Sequence, residues 1–126
     1  MIVGAGYIGL EVAAVAVMRG LDVTVVELAD RVMARGGAPL ISDFFTRVHQ
    51  QAGVKIRCNT GIQSFNGVSR VQSVILSDGS EIPADLVIVG IGILPNVEIA
   101  EAAGLPCDNG FVVDAERGLI LTNRHV

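Results

Sequence analysis

Gly4-Ala5-Gly6-Tyr7-Ile8-Gly9 decides how this chain folds. The hexapeptide follows a short apolar run, residues 1–3, and opens residues 10–19, which read as a helix. Val12, Val15 and Ala16 share one face of that helix, and Gly20 supplies the stop. Residues 22–27, DVTVVE, form a β-branched strand ending in Glu27, 18 positions after Gly9. Strand, glycine-rich turn, helix, strand and terminal acid together make a dinucleotide-binding arrangement. Gly4 permits the tight turn, Gly6 lets a pyrophosphate approach the backbone, and Gly9 lets helix and strand pack closely. Tyr7 and Ile8 complete the turn, whose free N–H groups and helix dipole attract phosphate. Glu27 is placed to accept hydrogen bonds from the adenosine ribose hydroxyls.

Outward from this centre the alternation continues. Residues 39–52 predict a second helix, with Leu40, Phe44, Val48 and Ala52 at i, i+4 spacing. Gly53 ends it, and residues 54–58 predict a third strand. Residues 61–65 and 68–76 then read as antiparallel strands, the second with apolar Val71, Val74 and Leu76. Asp78-Gly79 marks a tight turn into another strand. Residues 84–91, ADLVIVGI, are nearly all apolar, as expected of a strand buried on both faces. Residues 95–104 predict a turn and a short helix. The expected fold is α/β: a Rossmann-like parallel sheet with helices and an inserted antiparallel β-meander.

Composition narrows the function classes. The chain has 126 residues, about one domain, with 51% hydrophobic and 17% charged residues, which excludes disorder. Net charge is −4 and Trp is absent, so neither the basic face nor the stacking aromatics of a nucleic-acid binder is present. Two cysteines, Cys58 and Cys107, are too far apart for a CxxC pair and too few for a disulfide scaffold. They point to a reduced, cytoplasmic setting. The apolar first 18 residues carry Glu11 and three glycines and are not expected to span a membrane. Asp43, Asp78 and Asp85 lack ligand spacing, so no metal site is expected. His49, on the polar side of the second helix, is expected to be solvated. No side chain is required to act as acid, base or nucleophile, and no catalytic residue is assigned.

GAGYIGLEVA, DVTVVELADRVMAR and ADLVIVGIGILPN, in that order, resemble the NAD-binding domain of flavin-dependent ferredoxin reductases, within the pyridine nucleotide-disulfide oxidoreductase superfamily. The resemblance covers residues 1–114. It implies a module that binds NAD(H) and presents NADH to FAD, which passes electrons to an iron–sulfur ferredoxin or a rubredoxin. It places Glu11 near the nicotinamide end and Gly90-Ile91-Gly92 along the nicotinamide. Pro95 and Asn96 match the turn that follows. Arg31 and Arg35 are placed on the adenosine side, where solvated surface arginines are an equal reading.

The resemblance also implies an FAD-binding domain whose fingerprint precedes this strand and whose Ala-Gly-Asp segment follows it. This sequence contains neither, so it is expected to be a fragment, inactive alone. Residues 115–126 form an atypical tail: LTNRHV resembles the strand before the catalytic histidine of DegP-like trypsin-fold proteases, with His125 in that place. A chimeric junction with such a protease segment is a remote alternative. A stand-alone, non-catalytic NAD-binding or sensing domain is the main one.

Overall fold

The computed structural model describes residues 1–110. Four parallel strands form one sheet: β1 (Ile2–Val3), β2 (Thr24–Val26), β3 (Lys55–Arg57) and β7 (Ile88–Val89), in the order β3-β2-β1-β7. α1 (Tyr7–Met18) joins β1 to β2, and α2 (Pro39–Gln51) joins β2 to β3. β4 (Ile62–Asn66), β5 (Ser73–Leu76) and β6 (Glu81–Pro83) make the antiparallel meander before the chain returns to β7 beside β1. The expected α/β architecture with its meander is therefore present.

Alternation along β2 separates two cores. Val25 packs with Ile2, Leu10, Ala13, Val32, Met33 and Val54 on the helix side. Its neighbour Val26 packs with Val74, Leu76 and Ala84 on the meander side. Successive strand side chains point to opposite faces, so two adjacent valines bind a layer each. Full burial of each stabilises by roughly 1.5–3 kcal/mol.

Several sequence expectations change in the fold. Val15, expected to share a face with Val12 and Ala16, is half exposed; Gly9, Leu10 and Ala13 are the buried residues of α1. On α2, Leu40, Phe44 and Val48 point outward, while Ser42 and His49 are buried and Phe45 is partly so. His49 is 7% exposed, not solvated, with Nδ1 2.8 Å from the Phe45 carbonyl and Nε2 3.0 Å from that of Leu10. The first strand of the meander matches its expected place, but β5 begins only at Ser73, and Val68 is fully exposed. The apolar run 84–91 forms only the two-residue β7, which pairs with β1 alone among the described residues. Val89 there is 55% exposed, so the strand is an edge and not doubly buried.

The chain divides into two compact units, residues 1–91 and a second beginning at Gly92. Within the second, α3 (Glu98–Ala102) is the short helix expected of residues 95–104. The tail 115–126, His125 included, lies outside the described residues. Among those residues no helix is long and apolar enough to cross a membrane.

Candidate functional site: the glycine-rich turn and its strap

Gly4 and Gly90 lie at the carboxyl ends of β1 and β7, where the strand order reverses. This is the crevice in which open α/β sheets take ligands. Gly4 N–H donates to the Val26 carbonyl at 2.8 Å, and Gly90 N–H to the Val3 carbonyl at 2.8 Å. The three turn glycines differ in what they face. A Cβ on Gly4, where φ is +99°, would sit 2.4 Å from the Gly90 oxygen; one on Gly9 would sit 2.0 Å from the Gly4 oxygen. Both distances are impossible contacts with backbone, so the fold itself demands glycine there. A Cβ on Gly6 would meet nothing within 4 Å, and its φ of −80° suits any residue. The Cβ side of Gly6 is therefore open space.

Gly6 is the N-cap of α1 and carries no capping side chain, and the first turn holds no acid. Leu10 N–H donates to the Gly6 carbonyl at 3.0 Å, while the N–H groups before it have no intrahelical acceptor. Their partial positive charge is open to an anion. Tyr7, Ile8 and Glu11 are exposed on this part of the helix.

Glu27, immediately after β2, holds the turn in place. Its Oε2 accepts the Ala5 N–H at 2.6 Å and its Oε1 accepts the Ala29 N–H at 2.8 Å. An ionised carboxylate has about four lone-pair positions, so capacity for further hydroxyl donors remains. Residues 28–37 then form a strap that folds back on the turn. Met33 N–H donates to the Ala5 carbonyl at 2.9 Å, and the Tyr7 ring lies against Gly36. Met33 is buried with φ +56°, a left-handed backbone that costs a non-glycine residue about 1–3 kcal/mol.

The two arginines of the strap part company. Arg31 donates from Nη1 to the Gly37 carbonyl at 2.8 Å and to Ser42 Oγ at 2.6 Å, and from Nη2 to the Ala34 carbonyl at 3.1 Å. Arg35 is exposed. Gly90 and the exposed Ile91 stand beside Gly4, whereas Gly92 belongs to the second unit. Cys58, just past β3, has its thiol pushed up by burial and then by the charges of Glu27 and Asp30, so it stays protonated at neutral pH. A cavity of about 360 Å³ beside Met1, Asp22 and Lys55 lies at the amino ends of the strands, away from the turn.

Residues 1–118 match the family described as pyridine nucleotide-disulphide oxidoreductase. The chain belongs to that family. Rhodocoxin reductase of Rhodococcus erythropolis is 50% identical over 115 residues, 90% of this chain and 27% of that protein. Putidaredoxin reductase CamA of Pseudomonas putida is 46% identical over 117 residues, 90% of this chain and 28% of that protein. The crystal structure of a ferredoxin reductase for the CYP199A2 system from Rhodopseudomonas palustris superposes with a TM-score of 0.84 at 50% identity, covering 89% of this chain and 28% of that one. The chain therefore spans a little over a quarter of the length of these relatives.

In this member of the pyridine nucleotide-disulphide oxidoreductase family, sequence reasoning missed Met33, Ser42 and Ala29. No motif marks them, because each acts through a backbone group or a buried hydroxyl. The one available signal was the polar Ser42 beside apolar Leu40 and Ile41 at the start of a helix.

Proposed function

We propose that this chain is the NAD(H)-binding module of an FAD-dependent reductase of the ferredoxin or rubredoxin type. Gly6 carries the reading: its side is open and its backbone needs no positive φ, which leaves the first turn of α1 approachable by a pyrophosphate. When bound, NADH supplies a hydride to flavin. The chain's own residues bind and orient. The first turn of α1, with Gly4, Gly6, Tyr7, Ile8 and Gly9, takes the pyrophosphate. Glu27 accepts from the ribose hydroxyls with its remaining lone pairs. Arg35 serves the adenosine side, and Glu11 with Gly90 and Ile91 the nicotinamide side. The FAD-binding domain and a small iron–sulfur ferredoxin or a rubredoxin are the proposed partners of the complete enzyme.

Calorimetric titration of NADH into the chain and into Gly6→Val tests this reading. The wild type binds, and the variant keeps its circular dichroism and melting temperature while losing roughly a hundredfold or more in affinity. Equal affinities would remove Gly6 from the site. The 126-residue chain itself is proposed to purify colourless and to leave dichlorophenolindophenol unreduced by NADH. A flavin band at about 450 nm would contradict that.

A further inference from the structure

We propose that Arg31 is a positioning residue: through the strap it sets the plane of the Ala5–Gly6 peptide, and so the direction of the Gly6 N–H. The inference rests on the nucleotide-binding reading above and deepens it. The guanidinium spans Ala34 and Gly37 of the strap and Ser42 in α2, three partners that a planar fork of five donors can satisfy at once. Ser42, 1% exposed, accepts from Arg31 and donates its own hydroxyl hydrogen bond to the Val32 carbonyl at 2.6 Å. The strap is thereby fastened on both sides of Met33.

Met33 transmits the hold. Its carbonyl accepts the N–H groups of Gly36 and Gly37 at 3.1 and 2.9 Å, and its own N–H grips the Ala5 carbonyl. Glu27 holds the Ala5 N–H from the other side. The peptide unit is planar and trans, so a fixed Ala5 carbonyl aims the Gly6 N–H the opposite way. Among the described residues that N–H donates to no protein acceptor, and the Cβ side of the same residue is open. A loosened strap frees the peptide to turn, presenting carbonyl oxygen where an anion needs a donor. Arg31 therefore acts without touching the nucleotide, and Arg35 is the strap arginine left to do so.

The test uses Arg31→Met, Arg31→Lys and Ser42→Ala in the full chain, at a temperature well below melting. Calorimetry gives affinities for NADH, ADP-ribose and adenosine; amide hydrogen exchange reports on Met33. Arg31→Met is expected to weaken NADH and ADP-ribose roughly tenfold and adenosine less than twofold, with faster exchange at Met33. Arg31→Lys recovers part of the loss, and Ser42→Ala costs about threefold. A general structural loss would weaken all three ligands alike and would overturn the proposal. So would a folded Arg31→Met with NADH affinity within twofold of wild type and normal Met33 exchange. If Arg31→Met does not fold, Ser42→Ala and Arg31→Lys decide by the same criteria. Wild-type chain without affinity for NADH or ADP-ribose sinks the nucleotide reading instead, while Met33 exchange still reports whether Arg31 holds the strap.

Discussion

The glycine-rich turn and the strap grip the same peptide by opposite means. The turn works through absent side chains: Gly4 and Gly9 leave room for backbone, and Gly6 leaves its side open. The strap works through side chains that reach far, Arg31 across to Ser42 and Met33 into the core, so that a backbone N–H arrives at Ala5. Bareness leaves a pattern that can be read along the chain. Reach does not, because its partners are chosen by the packing of α2 and β2.

The strongest way to break this contrast is within the turn. Gly9→Ala forces a Cβ onto the Gly4 carbonyl, and the expected loss is about 3 kcal/mol or more in urea unfolding. Gly6→Ala should cost less than about 1 kcal/mol, because Ala is only somewhat poorer than Gly at an N-cap and meets nothing there. Equal losses at the two positions would mean that Gly9 is not the packing glycine. Next in size is Glu27. We expect the wild type to prefer NADH over NADPH by roughly ten- to hundredfold, since a carboxylate repels the 2′-phosphate. Glu27→Gln should narrow the preference and also lose about 1–3 kcal/mol of stability. An amide has one acceptor oxygen, so the Ala5 or Ala29 N–H is left without a partner. Titration of both nucleotides beside a thermal melt separates the two effects; an unchanged preference would show that Glu27 is not the selector.

Ser42→Ala probes the strap from outside the turn and should cost about 1–2 kcal/mol, because the Val32 carbonyl stays buried without its donor. A loss below about 0.3 kcal/mol would mean that the hydroxyl is not a fastening point. The smallest effect lies in the meander. Ser80, through its hydroxyl and then its backbone N–H, with Arg57 adding a smaller effect, holds the Asp78 carboxyl below its usual range. Ser73, then Asn66, does the same for Glu81. A carboxyl with a lowered folded pKa stabilises at neutral pH and loses that contribution as pH falls through the folded value. Acidification should therefore loosen the Asp78-Gly79 turn by a small amount, visible as chemical-shift changes in β5 and β6. Asp78→Asn should remove that part of the response, and an unchanged acid response would discard the assignment.

Much of this was legible in advance. The glycine spacing marked the turn between β1 and α1 and Glu27 the end of β2, Gly20 and Gly53 ended their helices, and Asp78-Gly79 turned the meander where expected. Helix faces were less legible. α2 follows its i, i+4 apolar stripe outward because Ser42, Phe45 and His49 form the inward one, and both polar groups find partners at carbonyls or at Arg31. Apolar periodicity assumes that buried means apolar, and a hydrogen-bonded hydroxyl or imidazole breaks that assumption.

By itself the sequence determined the order of elements, the glycine turn and the acid that follows β2, since each depends on contacts within a few residues or on the lack of a side chain. Tertiary structure alone decided that Arg31 is tied to Ser42 and the strap, that Glu27 also holds the Ala5 N–H, and that His49 is a core residue. Those outcomes depend on where distant carbonyls and N–H groups come to lie. A backbone donor or acceptor is the same at every residue, so no residue letter announces which one a side chain will find.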